Sequence, residues 1–177
     1  MEAIQTGIEG LVRLRPKVFR DDRGFFLETW NQRGFDEAIG ASVEFVQDNF
    51  CRSVQGALRG LHYQVPPAAE GKLVNVVYGR IFDVVVDLRE NSPTKFRWFG
   101  TILEADAQEL LWIPEGFAHG FLTLSDVAGV AYKATNYYSP ESRRHIRWDD
   151  PAIGIQWPLE PGTVPILSPE DAAAPLL

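Results

Sequence analysis

The chain has 177 residues, 45% of them hydrophobic and 23% charged, with a formal net charge of −7 and one cysteine. This length accommodates one domain, over residues 1–177, with a sizeable core, and the acidic balance excludes the broad basic face that nucleic-acid binding needs. Cys51 alone excludes an internal disulfide and fits a reducing compartment, while no apolar run approaches the roughly 20 residues of a membrane span. The opening Met1-Glu2-Ala3-Ile4-Gln5 lacks the basic start and apolar stretch of a secretion signal, so a cytoplasmic location is expected.

In chain order, the turn Asp22-Arg23-Gly24 precedes a strand over residues 25–30. Phe35, Ala38 and Ile39 then show helical spacing that stops at Gly40, which predicts one short helix. A strand follows at 45–47, and the neighbours of Cys51 also read as strand, with a buried, inert thiol. Another strand ends in Arg59-Gly60-Leu61-His62-Tyr63-Gln64. Residues 73–77 form the next, joined to its successor by a tight hairpin at Gly79-Arg80. In that successor Phe82, Val84, Val86 and Leu88 alternate with Asp83, Val85, Asp87 and Arg89, giving one apolar face and one face carrying carboxylates. After the turn Asn91-Ser92-Pro93, strands are expected over 98–103, 109–113, 120–124 and 130–135, with turns at Pro114-Glu115-Gly116 and Ser139-Pro140. From Pro158 the chain is rich in proline and alanine and is expected to wrap a barrel. Ser168 before Pro169 suits the N-cap and first position of a helix over 168–174. Many short strands, frequent turns and little helix predict an all-β sandwich or barrel.

The chemistry-bearing residues concentrate in glycine-punctuated segments. A histidine in a strand is by default a hydrogen-bonded core residue. His62 beside Arg59 and Gln64, and His119 between Ala118 and Gly120, read instead as pocket residues, whereas His145 beside Arg143 and Arg144 reads as surface. Lys72 follows Gly71 into a strand, so it lies either at an exposed edge or pointed into the barrel. Tyr132 is either a core phenol or an acid facing a cavity, and Tyr138, just before Ser139-Pro140, is placed where a ring can stack on a flat ligand. A base, two cations, a second imidazole and a phenol are the parts that move a proton next to a carbonyl in a sugar. A metal site built from His62 and His119 with Glu70, Asp83 or Asp87 lacks the close histidine pair that usually anchors one, and Lys72 adds positive charge, so no metal is expected.

The ordered blocks Asp22-Arg23-Gly24-Phe25-Phe26, Gln47-Asp48-Asn49, Leu58-Arg59-Gly60-Leu61-His62, Gly71-Lys72-Leu73-Val74, Pro114-Glu115-Gly116-Phe117-Ala118-His119-Gly120-Phe121, Tyr132-Lys133-Ala134-Thr135-Asn136-Tyr137-Tyr138 and Asp171-Ala172-Ala173-Ala174-Pro175 span nearly the whole chain. Together they resemble the dTDP-4-dehydrorhamnose 3,5-epimerases of the cupin superfamily. The resemblance implies a cupin-type jelly-roll barrel with a few short helices, acting as a homodimer without a cofactor on a dTDP-sugar, with no nucleic-acid or membrane partner. By similarity His62 is the general base, Asp171 its carboxylate partner, Tyr132 the acid on the other face of the sugar, and Lys72 the group beside the ketone oxygen. Arg23, Glu28, Gln47, Asn49, Arg59 and His119 match sugar-nucleotide contacts, and Tyr138 matches a ring that stacks on thymine. Read from the residues alone, Asp83 rivals Asp171 as the partner of His62. The chain departs from the family pattern at Phe50-Cys51, at Glu70, and at Arg143 and Glu170, where relatives often carry a glutamate and a lysine.

The chemistry follows from the substrate. A C4 ketone acidifies the hydrogens at C3 and C5, so a base on one side of the ring and an acid on the other invert those centres through an enolate. Rival readings are an epimerase of C3 or C5 alone, a 3,4-ketoisomerase, a non-catalytic sugar-binding jelly roll and a metal-dependent oxygenase.

Overall fold

The computed structural model describes residues 1–177. Its strands are β1 (Glu2–Gln5), β2 (Val12–Arg15), β3 (Val18–Asp21), β4 (Gly24–Leu27), β5 (Gln47–Val54), β6 (Leu58–Gln64), β7 (Lys72–Tyr78), β8 (Arg80–Asp87), β9 (Trp98–Glu104), β10 (Leu110–Ile113), β11 (Phe117–Thr123), β12 (Val127–Ala134) and β13 (Arg143–His145), with helices α1 (Gln32–Ile39) and α2 (Pro169–Ala172). A six-stranded antiparallel sheet, β1-β2-β10-β7-β12-β5, faces a five-stranded one, β13-β6-β11-β8-β9, in a jelly roll. No helix is long and apolar enough to cross a membrane.

Residues from both sheets interlock in the interior, with Val74, Val76 and Val130 from one and Ile81, Val85 and Phe121 from the other. A second cluster lies outside the six-stranded sheet, where α1 presses Phe35 onto Leu73, Leu110 and Trp112. Asn31 caps α1 by accepting from the Gly34 amide, and Gly40 ends it at φ 71°, so the helix read from Phe35, Ala38 and Ile39 forms where its spacing placed it. A third cluster covers the outer face of the five-stranded sheet. There Ile146, Ile153 and Trp157 of the C-terminal stretch cover Val84, Val86 and Phe82. Beyond Pro158 the chain also lies against the barrel, with Ile166 bridging Ala57 and Asp171 reaching His62, and Ser168 caps α2 by accepting from the Asp171 amide.

Several boundaries differ from the sequence reading. The 25–30 strand stops at Leu27, and the 45–47 strand instead begins at Gln47 and runs on to Val54. The strands β1, β2 and β3 lie outside the sequence reading, although Val12-Arg13-Leu14-Arg15 of β2 alternates apolar and charged residues. The Gly79-Arg80 hairpin is a sheet switch: β7 pairs with β10 and β12, whereas β8 pairs with β11 and β9. Gly79 turns the corner at φ 80°, and a Cβ there would lie 2.2 Å from the Val127 carbonyl oxygen, so only glycine fits.

Candidate active site

Strand registers decide which side chains meet inside. On the six-stranded sheet Tyr132 is opposite Asn49 on β5 and Val74 on β7, and Ala134 is opposite Gln47 and Lys72. Since strand side chains alternate, Lys72, Gln47, Asn49, Cys51 and Tyr132 share the inward face with fully buried Val74 and Val130. On the five-stranded sheet His62 is opposite His119 on β11 and His145 on β13, so the chain's three histidines form one row. Backbones pass closely beside this row: a Cβ on Gly60 would sit 2.5 Å from the Gly120 Cα.

Between the walls lies a cavity of about 300 Å³ lined by Asn49, Arg59, His62, Lys72, His119 and Tyr132, among others. His62 comes from one sheet and Tyr132 from the other, so a ligand in this space has an imidazole on one side and a phenol on the opposite side.

Asp171 on α2 stands behind His62, with Oδ1 2.5 Å from Nε2. The carboxylate is almost fully buried, while the His62 side chain is 26% exposed. Burial alone would raise the Asp171 carboxyl, but the His62 hydrogen bond and charge, with the Ser168 hydroxyl and Gly60 backbone, outweigh it and hold it below the ordinary 3.8. A carboxylate on Nε2 leaves Nδ1 as the nitrogen free to take a proton. Asp83, the rival partner, binds His119 instead, at 2.9 Å. Burial first, and then the Glu70 and Cys51 charges, push the Tyr132 phenol above its ordinary 10.0 against the lowering effect of Arg143 and Arg59. Tyr132 therefore stays protonated at neutral pH. Lys72 Nζ lies 2.9 Å from Glu70 and 6.0 Å from the centre of the Tyr132 ring. Burial raises the Cys51 thiol, although the residue is half-buried on the cavity wall rather than fully buried as the sequence suggested.

The remaining site residues divide into two groups. Arg59 donates to the Ser53 hydroxyl at 2.9 Å, and Gln47 donates to Asn49 at 2.9 Å while accepting from the Tyr138 amide. Tyr138 is exposed beside Arg143, which is paired with Glu170 at 3.0 Å. Arg23 and Glu28 lie apart. Arg23, 90% exposed, pairs with Asp21 at the tip of the β3–β4 hairpin, and Glu28 accepts from Asn31. Neither reaches this chain's own cavity.

Sequence reading missed His145. It is not surface: its ring packs edge-on to His62 with centroids 4.7 Å apart, and its Nδ1 lies 3.6 Å from Asp171. Burial, His62 and Arg143 hold its imidazole below the ordinary 6.5, against Asp171 and Glu170. The available signal was alternation along β13, which turns Arg144 out and His145 in.

A family model described as dTDP-4-dehydrorhamnose 3,5-epimerase matches residues 5–177. The dTDP-4-dehydrorhamnose 3,5-epimerase of Salmonella typhimurium is 55% identical over 177 residues, covering 100% of this chain and 96% of its own. The crystal structure of dTDP-6-deoxy-D-glucose-3,5-epimerase from Legionella pneumophila, in complex with dTDP-4-keto-L-rhamnose, superposes with a TM-score of 0.93 at 49% identity, over 99% of this chain and 92% of that one. The Bacillus anthracis dTDP-4-dehydrorhamnose 3,5-epimerase, with TDP and pyrophosphate bound, gives a TM-score of 0.94 at 45% identity, over 99% of both chains. A jelly roll with an imidazole–carboxylate pair on one wall and a neutral phenol on the other, matched from end to end by these enzymes, belongs to the dTDP-4-dehydrorhamnose 3,5-epimerase family.

Proposed function

We propose that this protein is a cofactor-independent isomerase that inverts C3 and C5 of dTDP-4-dehydro-6-deoxy-D-glucose, giving dTDP-4-dehydro-L-rhamnose. The observation that carries the reading is the placement of His62 and Tyr132 on opposite walls of one cavity. His62 Nδ1 removes the proton α to the ketone while Asp171 on Nε2 fixes the tautomer and steadies the imidazolium. The electron pair moves onto the ketone oxygen, where the Lys72 ammonium stabilises the enolate in a site drier than bulk water. Tyr132, held protonated by its surroundings, returns a proton from the other face and inverts the centre. The same pair of groups serves C3 and then C5. No external activator is needed, because the substrate carries its own ketone.

Arg59, Asn49, His119 and Gln47 are the proposed sugar and phosphate contacts, with Tyr138 stacking on the thymine at the rim. Guanidinium forks suit phosphate oxygens. Arg23 and Glu28, outside this chain's cavity, require a second copy to bring them to a bound nucleotide. We therefore infer a homodimer. The β3–β4 hairpin supports it, since it pairs only with itself and exposes Phe19, Phe25 and Phe26. The free Cys51 fits a cytoplasmic enzyme.

Turnover of the 4-keto-6-deoxyglucose nucleotide in heavy water tests the reading. The wild type is expected to place deuterium at both C3 and C5. Tyr132→Phe is expected to exchange hydrogen but to stall before inversion. A single exchanged carbon in the wild type would replace the double epimerase with a mono-epimerase, and an unchanged product pattern in Tyr132→Phe would remove the phenol from its role.

A further inference from the structure

The row of histidines contains a cluster whose second imidazole the proton-transfer scheme leaves unused. His62, His145 and Asp171 each offer one ligand atom, and these atoms all lie within 4.8 Å of one another. Asp171 Oδ1 is 2.5 Å from His62 Nε2 and 3.6 Å from His145 Nδ1. The His145 Nδ1 atom is buried with no hydrogen-bond partner. A buried nitrogen lone pair or N–H without a partner is rare and calls for an occupant.

We propose that His62, His145 and Asp171 form a site for a divalent transition cation of the Zn²⁺ class, and that occupying it switches the enzyme off. The close histidine pair that the sequence did not reveal is supplied here by neighbouring strands, β6 and β13. A tetrahedral ion with bonds of about 2.0–2.1 Å holds its ligand atoms about 3.4 Å apart, so the His62–Asp171 edge has to open by roughly 0.9 Å, the His145–Asp171 edge is already close, and the edge between the two histidines closes by roughly 1.4 Å at most. Two imidazoles and one carboxylate select zinc, copper or nickel over magnesium or calcium, which ask for several oxygens. Of the cations that line the cavity, Arg143 is matched by Glu170 and Lys72 by Glu70.

Inhibition follows from the two-nitrogen chemistry of the ring, and this clause rests on His62 being the base. An ion on Nε2 displaces the Asp171 hydrogen bond and leaves the one remaining ring proton on Nδ1. That nitrogen then has no lone pair with which to accept the proton from the sugar. Substrate contacts elsewhere in the cavity remain, so occupancy lowers kcat more than it raises KM. His119 is the internal control, because its Nε2 bonds a different carboxylate, Asp83.

The test uses the metal-free full chain. Calorimetric titration with ZnCl₂ is expected to show a single tight site, with a tetrahedral visible spectrum when Co²⁺ replaces Zn²⁺. His145→Gln, with His145→Asn as a second variant and melting curves to confirm folding, is expected to weaken the ion by roughly 10–100-fold or more, since even residues that merely support ligands are worth that much. His119→Gln is expected to leave the affinity unchanged. Turnover of the wild type is expected to fall in step with zinc occupancy and to return with EDTA. Absence of zinc binding, or equal affinity in wild type and both His145 variants, would overturn the site. Zinc that binds through His145 at saturation while turnover persists would overturn the inhibition, whereas the assignment of His62 as base stands or falls separately, on deuterium exchange in His62→Asn.

Discussion

His62 and His119 face each other across β6 and β11, and each presents Nε2 to a carboxylate, Asp171 at 2.5 Å and Asp83 at 2.9 Å. Their surroundings differ. Asp83 comes from the neighbouring strand β8, both partners are nearly sealed, and the second Asp83 oxygen is buried without a partner. Asp171 lies 109 residues beyond His62 and arrives on a helix docked by the C-terminal wrap, while the imidazole stays partly open to the cavity. A pair knitted into adjacent strands fixes a ring in place. A pair completed by a docked segment, with its imidazole in the cavity, supplies a ring that can gain and lose a proton where a substrate lies. The same two residue types are thus set in different surroundings, and on the proposed function the sealed pair positions a ring while the open one transfers a proton.

Substituting both members of the row tests that contrast. His62→Asn is expected to lower turnover by roughly 10²–10⁴-fold and to abolish deuterium exchange into the sugar, whereas His119→Asn should mainly raise KM. Equal loss of exchange in both variants would erase the distinction. Asp83→Ala is expected to act on folding: removing one partner of a buried pair costs about 3–5 kcal/mol, read as a shift in the urea midpoint. Asp171→Asn, whose helix sits at the periphery, should unfold closer to wild type but lose about 10–100-fold in kcat, as expected for a hydrogen bond to a charged group. A kinetic loss from Asp83→Ala larger than that from Asp171→Asn would assign the roles the other way round.

The sequence made β8 legible through its period two and β7, β9 and β12 as apolar runs between turn signals, and the caps of both helices lie where Gly40 and Ser168 placed them. It could not say which face of β8 looks inward. Phe82, Val84 and Val86 pack outward under the C-terminal wrap, and the carboxylate face looks into the barrel, because Asp83 has His119 and Asp87 has Arg89, Ser92 and Thr94 as partners. When both faces of a strand are buried, alternation no longer identifies the core. Gly79 illustrates a second limit: a glycine between two strands marks a sharp turn, but whether the chain folds back or changes sheet depends on pairings made elsewhere. His145 marks a third, since the two arginines before it outweighed an alternation that runs for only three residues of strand. The placement of His62, Lys72 and Tyr132 around one cavity was legible only through family resemblance, because no local pattern links strands from opposite sheets.

The smallest predicted effect concerns the departure at Glu70. Its carboxylate lies 2.9 Å from Lys72 Nζ, and both side chains are 12% exposed. The pair anchors the ammonium, but it also draws charge away from the enolate oxygen that the ammonium is proposed to stabilise. The same negative charge helps push the Tyr132 phenol above its ordinary 10.0, after burial. Glu70→Gln keeps an acceptor and the volume while removing the charge. A phenol acting as acid must be protonated, so activity is lost as pH rises through its pKa. Removing a charge that raises this pKa moves the basic limb of the pH–rate profile to lower pH. At neutral pH the freed Lys72 is expected to raise kcat by about two- to fivefold, the scale of a partly screened ion pair. Glu70→Ala, with no acceptor left, should instead let Lys72 wander and lose activity. A basic limb that stays in place in Glu70→Gln would show that the charge at Glu70 is not felt at Tyr132, and would leave burial as the main cause of the neutral phenol.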